Sequence, residues 1–92
     1  MSEYRFDLFI AGHTTRSRQA TKNIREFCEQ HFPEDYDLNI IDVLEDPNTA
    51  EKEKIIATPT LVQRAPIAGR RIIGVISDSK DLMHALGLAD TQ

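Results

Sequence analysis

The apolar positions of this chain change period several times, and each change marks a new element. From Arg5 to Ala11 they alternate: Phe6, Leu8 and Ile10 fall on one face, Asp7, Phe9 and Ala11 on the other. That pattern predicts a strand buried on at least one side. Gly12-His13-Thr14-Thr15 breaks it, and a threonine there is placed to cap a helix, with no Glu or Gln three residues on to complete a capping box. From Ser17 to His31 the spacing is helical. Ala20, Ile24, Phe27, Cys28 and His31 make one apolar stripe, and Arg18, Lys22, Arg25, Glu26 and Glu29 take the other faces. Pro33 ends the helix. Leu38 to Leu44 is strand-like, so strand, helix and strand predict a βαβ unit with a right-handed crossover.

The second half is patterned differently. Asp46 reads as an N-cap and Pro47 as a first helical residue, and good helix formers from Ala50 to Lys54 predict a helix from residue 47 to about 57. Its apolar stripe is poor, and Ile55-Ile56 suits a strand equally well. Pro59 stands inside the run Ile55 to Val62, where a proline cannot donate to a ladder, so a cis Thr58-Pro59 bond leading a strand is a candidate. Thr60–Arg64 and Arg70–Ile76 predict an antiparallel hairpin around the loop Ala65–Gly69. Ser77, Asp78 and Ser79 are candidate caps for a short helix with Leu82, Ala85 and Leu86 on its apolar face, Gly87 is its stop, and Leu88 to Gln92 fray. The order β-α-β-α-β-β-α, with a proline before the third strand, predicts an α/β, thioredoxin-like fold: one domain over residues 1–92 with a four-stranded mixed sheet.

Composition narrows the function classes. With 92 residues, 40% apolar, the chain can bury one modest core. A net charge of −4 argues against nucleic acid or an anionic membrane as a partner, and no apolar stretch reaches the length of a membrane span or a signal peptide. The single cysteine excludes an internal disulfide and fits the cytoplasm.

Candidate chemistry is sparse. A thioredoxin-like redox enzyme places its reactive cysteine where the first strand meets the first helix. Gly12-His13-Thr14-Thr15 has none there, and Cys28 lies on the apolar stripe as a small core residue. Glutathione binding is the enzyme-class alternative: the backbone of Thr58 and Thr60 pairing with an extended peptide, Ser77 and Asp78 holding its γ-glutamyl end, and Thr14 or Thr15 activating its thiol. His13, His31 and His84 follow no metal-ligand spacing. Arg70-Arg71 beside an apolar strand reads equally as a charge-guarded edge or as an anchor for an acidic protein surface.

Four stretches also resemble one family in order and spacing. They are Leu8-Phe9-Ile10-Ala11-Gly12-His13-Thr14, Ile41-Asp42-Val43-Leu44-Glu45-Asp46-Pro47, Lys54-Ile55-Ile56-Ala57-Thr58-Pro59-Thr60-Leu61 and Arg70-Arg71-Ile72-Ile73-Gly74. Together they resemble the KaiB family over nearly the whole chain. The resemblance implies a non-enzymatic regulator without a cofactor that binds the hexameric ATPase KaiC in the circadian oscillator of photosynthetic bacteria, or serves a timer or stress response elsewhere. It also implies fold switching, between an oligomeric ground state with a rearranged C-terminal half (dimer or tetramer) and a thioredoxin-like, partner-binding state. Lys54, Arg70 and Arg71 match basic positions of the family and are the implied partner-binding residues. Thr58, Pro59, Ala85 and Gly87 fall in the implied switch. Asp7, Asn39 and Gln63 stand where the family commonly has basic residues, and Val75 where it has an acidic one. Ala85-Leu86-Gly87 replaces the common Gly-x-Asp, and alanine favours helix over glycine. The thioredoxin-like state is therefore expected to be unusually favoured here. Backbone NMR shifts check this: strand values across residues 78–86 in the free protein would refute it.

Overall fold

Strand, helix, strand, helix, two strands and a helix follow as the pattern predicts: β1 (Tyr4–Ile10), α1 (Thr15–His31), β2 (Tyr36–Asp42), α2 (Pro47–Lys52), β3 (Thr60–Ala65), β4 (Arg71–Ile73) and α3 (Ser79–Ala85). The computed structural model describes residues 2–74 and 79–87. The expected caps at Ser77 and Asp78, the end of the fourth strand at Val75 and Ile76, and the tail from Leu88 lie outside the described residues.

One four-stranded sheet runs in the order β2-β1-β3-β4. β1 and β2 are parallel, joined through α1, while β3 is antiparallel to β1 and to β4. This is the mixed sheet of a thioredoxin-like fold. Alternation sorts the strand side chains. Phe6, Leu8 and Ile10 of β1 join Leu61 and Ile72 in the main core, which also takes Ala20, Ile24, Phe27 and Cys28 of α1 and Leu82 of α3. Phe32 closes the far end, with its ring stacked 3.8 Å from Tyr4 and edge-on to Phe27. On the opposite face Phe9 and Val62 are buried as well, and Ala50 is the buried residue of α2.

Local rules account for the helix starts. Thr14 caps α1, its Oγ1 accepting from the Ser17 N–H at 3.1 Å, and Ser17 is itself buried at the third helical position where a capping box would carry Glu. Asp46 caps α2 with Pro47 at the first position, and Thr49 donates to it through both its N–H and its hydroxyl. Those two bonds hold the Asp46 carboxyl below the usual carboxylate range.

The structure corrects four boundaries. β2 begins at Tyr36 rather than Leu38, because Tyr36 and Asp37 pair with Tyr4 and Arg5 although their side chains are polar. The same strand stops at Asp42, leaving Leu44 exposed beyond it. α2 ends at Lys52 rather than near residue 57, and Ile55–Thr58 are neither helix nor strand. β4 begins at Arg71 rather than Arg70 and is described through Ile73, followed by Gly74 at φ 101°. Thr58-Pro59 is cis, the isomer that the run offers as a candidate, and Ala65-Pro66 in the hairpin loop is cis too.

Cys28 is fully buried, as its place on the stripe implies. Burial pushes its thiol from 9.0 up to about 12, against a smaller lowering by Arg25. Because the folded value is the higher one, this contribution to stability is complete below pH 9.0 and is lost as pH rises toward about 12. Cys28 is therefore expected to resist thiol reagents at about pH 8.5, where a free thiol is appreciably ionised, and to react fully once the chain is unfolded in denaturant. Fast modification of the native protein would show that the core opens there.

Candidate functional site

The carboxyl ends of β1 and β2 meet the start of α1 at Gly12, where thioredoxins keep their reactive cysteine. Asp42 organises this end. Its Oδ1 accepts from the Gly12 N–H at 2.9 Å and from the Leu44 N–H at 3.0 Å, which hold its carboxyl below the ordinary value. Gly12 has φ 72°, and a Cβ there would meet Leu44 Cδ1 at 3.3 Å. The junction therefore requires glycine, and it contains no nucleophile with an activating partner.

Beside it, between the β2–α2 connection and the segment leading into Pro59, runs an open groove of about 700 Å³. Val43, Pro47, Ala50, Ile55 and Ile56 supply most of its apolar lining, with Glu51 and Lys54 as its charged members. Ile56 is 91% exposed at the groove and Leu44 is 69% exposed nearby in sequence, while Ile73 on edge strand β4 is 61% exposed.

The end of α2 sets the shape of this groove. The Ile55 N–H bonds back to Ala50 O at 2.9 Å and the Lys54 N–H to Glu51 O at 3.1 Å, the paired bonds of a Schellman cap. Such a cap needs a left-handed residue, normally glycine, and here it is Lys54 at φ 58°. A sequence scan for glycine stops misses this terminus, which explains the overlong helix expected for residues 47–57.

The three basic residues singled out from the sequence do not lie together. The Arg71 guanidinium turns toward α2, where it donates to the carbonyls of Glu53 and Lys54. Arg70 goes elsewhere: its guanidinium lies across Gly87, at the end of α3, so that a Cβ on Gly87 would sit 2.6 Å from Arg70 Cζ. Lys54 and Arg71 are thus neighbours, and Arg70 is not part of their cluster. Gly87 stops α3 with φ 68°, its N–H bonded to His84 O. Ala85 is the last residue of α3, and Thr58 and Pro59 form the inner end of the groove segment.

Asp7, Asn39 and Gln63 also have definite places. Asn39 donates to Asp7 at 3.2 Å, and Asp7 accepts from Arg64 Nε at 2.8 Å. Gln63 is fully buried, its Nε2 donating to Ala65 O within the hairpin end. Thr60, named for peptide pairing, lies in an interior strand with Phe9 on one side and Ile73 on the other. Its hydroxyl donates to Ala57 O at 2.6 Å. Among the described residues no group of three or more His, Cys, Asp or Glu is arranged to hold a metal ion. Nor is any described helix long and apolar enough to cross a membrane.

The architecture is that of a thioredoxin-like protein whose redox junction has been replaced by a glycine turn, with an apolar groove beside it. Solved structures agree on the fold. The N-terminal domain of Synechococcus elongatus SasA matches all of this chain and 90% of its own length with a TM-score of 0.76 at 18% identity. Mitochondrial thioredoxin 3 of Saccharomyces cerevisiae matches 95% of this chain and 79% of its own with a TM-score of 0.72 at 20% identity. Sequence decides the family: the KaiB domain model matches residues 7–88, and the chain belongs to the KaiB family. Its relatives include circadian clock protein KaiB3 of Synechocystis, 42% identical across 88% of this chain and 79% of the relative. The circadian clock oscillator protein KaiB of Trichodesmium erythraeum is 44% identical across 92% and 82%.

A side chain at φ 58° costs about 1 kcal/mol relative to glycine. Lys54→Gly is accordingly expected to raise unfolding stability by about 1 kcal/mol, read from the urea midpoint, whereas Lys54→Ala should leave it nearly unchanged. An equal gain from alanine would mean that the charge, not the backbone, is the source.

Proposed function

We propose that this protein is a non-enzymatic, cytoplasmic clock or timer regulator that docks on a hexameric KaiC-type ATPase, using the groove between α2 and Pro59 with Lys54 at its rim. The observation that carries this reading is Ile56. A side chain of that size, 91% exposed beside an apolar groove, has its natural use against another protein. Membership of the KaiB family supplies the partner class, and the absence of a cysteine at the Gly12–Thr15 junction removes the chemistry that the fold performs in thioredoxins.

The same reading includes fold switching. In it the free chain exchanges with a ground state in which the C-terminal half is rearranged and the protein self-associates as a dimer or tetramer. Docking draws the population to the thioredoxin-like state. Thr58, Pro59, Ala85 and Gly87 lie in the segments that change. Ala85 closing α3 supports a resting population tilted toward the docking-ready state.

Size-exclusion chromatography with light scattering tests this. The protein is run alone, then with a KaiC-type hexamer from the same cell in ATP and in ADP. A nucleotide-dependent shift into the hexamer peak is expected, together with its loss in Ile56→Asp. Absence of any shift in either nucleotide after hours of incubation would send the search to another partner and leave the fold untouched.

A further inference from the structure

α2 has six residues, too few to hold itself in place, and the groove depends on where its last turn sits. That turn is fastened from outside. Arg71 on β4 donates from Nη2 to Glu53 O and from Nη1 to Lys54 O at 3.4 Å, meeting carbonyls at the negative end of the helix. Glu53 is the C-cap of α2, and its carboxylate continues the connection. Arg64 Nη2 on β3 lies 3.1 Å from Glu53 Oε1, Arg64 Nε binds Asp7 on β1, and Asp7 accepts from Asn39 on β2. A single polar belt thus crosses all four strands and ends on the helix terminus. Arg64 is only about one-third exposed and Asp7 less so, so water screens this belt less than an ordinary surface pair. Burial lowers the affinity of the Arg64 guanidinium for its proton, and the bonds to Asp7 and Glu53 more than restore it.

We infer that Arg71 is a positioning residue for the groove: its forked guanidinium, backed by the Asp7–Arg64–Glu53 belt, caps the end of α2 and fixes the wall formed by Lys54, Ile55 and Ile56, instead of presenting its charge to a partner. Asp7, where the family commonly has a base, is the anchor of that belt. The inference rests on the docking role proposed for the groove and deepens it. Its geometry predicts which substitutions substitute for one another. An ammonium cannot span two carbonyls as a guanidinium does, so Arg71→Lys falls short. A glycine at position 54 makes the left-handed cap unstrained, so Lys54→Gly relieves the need for Arg71.

The test is amide hydrogen exchange on the free protein, paired with affinity for the KaiC-type hexamer. R71A is expected to speed exchange of the Lys54 and Ile55 amides about tenfold or more while leaving Leu8 and Ile24 unchanged. R71K should recover little of that protection, and K54G in the R71A background should recover most of it. E53Q, which spares the carbonyl contacts but weakens the belt, should fall between. Hexamer affinity is expected to drop in R71A although the core amides hold. Unchanged exchange at Lys54 and Ile55 in R71A would overturn the inference, as would a uniform rise across the core, which marks a general stabiliser. So would local opening with full affinity, which would mean that the wall need not be fixed. Should the unmodified protein fail to bind the hexamer at all, the docking reading falls. The exchange pattern, measured without partner, then decides the clamp alone.

Discussion

β1 is paired along both edges, and its C-terminal half is buried on both faces, which leaves a partner little of it to reach. β2 and β3 take its hydrogen bonds. Phe6, Leu8 and Ile10 pack into the main core on one side, and Phe9 is sealed on the other. A strand enclosed in this way fixes everything around it. A one-residue slip would move the whole apolar set to the wrong face, so register and topology are set together. What the chain offers to other molecules is pushed to the periphery: the carboxyl ends of the strands, the short α2 and the two edges.

The two faces of the sheet are not treated alike. One is covered by α1, seventeen residues long, together with α3. The other carries α2, which has six residues and buries only Ala50. A short helix over a broad sheet leaves part of that face open, and the chain fills the open part with charge and amide groups, from Asn39 and Asp7 to Arg64 and Glu53. Individually such pairs contribute about 0–1 kcal/mol. Their importance is geometric, because they connect α2 to strands that cannot move. The same face therefore holds a dry portion beneath α2 and a polar portion beside it, with the groove opening at the dry end.

Much of this was legible in the sequence, and the reason is locality. The α1 stripe, the threonine cap, Asp46-Pro47 and the alternation of β1 each depend on residues within one or two turns of one another. The element order followed from them, and the proline before β3 completed the fold. The end of α2 was not legible, because it is made by Lys54 in a conformation that sequence rules reserve for glycine. The start of β2 was hidden as well, since Tyr36 and Asp37 join the sheet through backbone pairing that their side chains do not announce. Arg70 and Arg71 were the hardest case. Adjacent residues entering a strand face opposite ways, so one reaches the end of α2 and the other lies over Gly87. Nothing within the Arg-Arg pair reveals which does which. Gln63 stands where the family commonly has a basic residue, and in the structure it is buried and bonded to its own hairpin end.

The same geometry sets a glycine turn without a cysteine beside an apolar groove. In a thioredoxin-like fold the junction of β1 and α1 lies beside the proline that leads β3, so a substrate presented to the thiol is also presented to the proline segment. Here the junction is a glycine turn held by Asp42, which offers no thiol and little room, since Leu44 lies against Gly12. The proline segment remains, and Ile56 and the α2 wall extend it into an apolar groove. Recognition in such a groove depends on shape, because its lining has few polar groups to supply specificity, and shape here depends on the placement of a six-residue helix. A helix that short takes its stability from tertiary contacts and not from its own hydrogen bonds. Its anchors therefore set the shape of the groove more than most of the residues that line it.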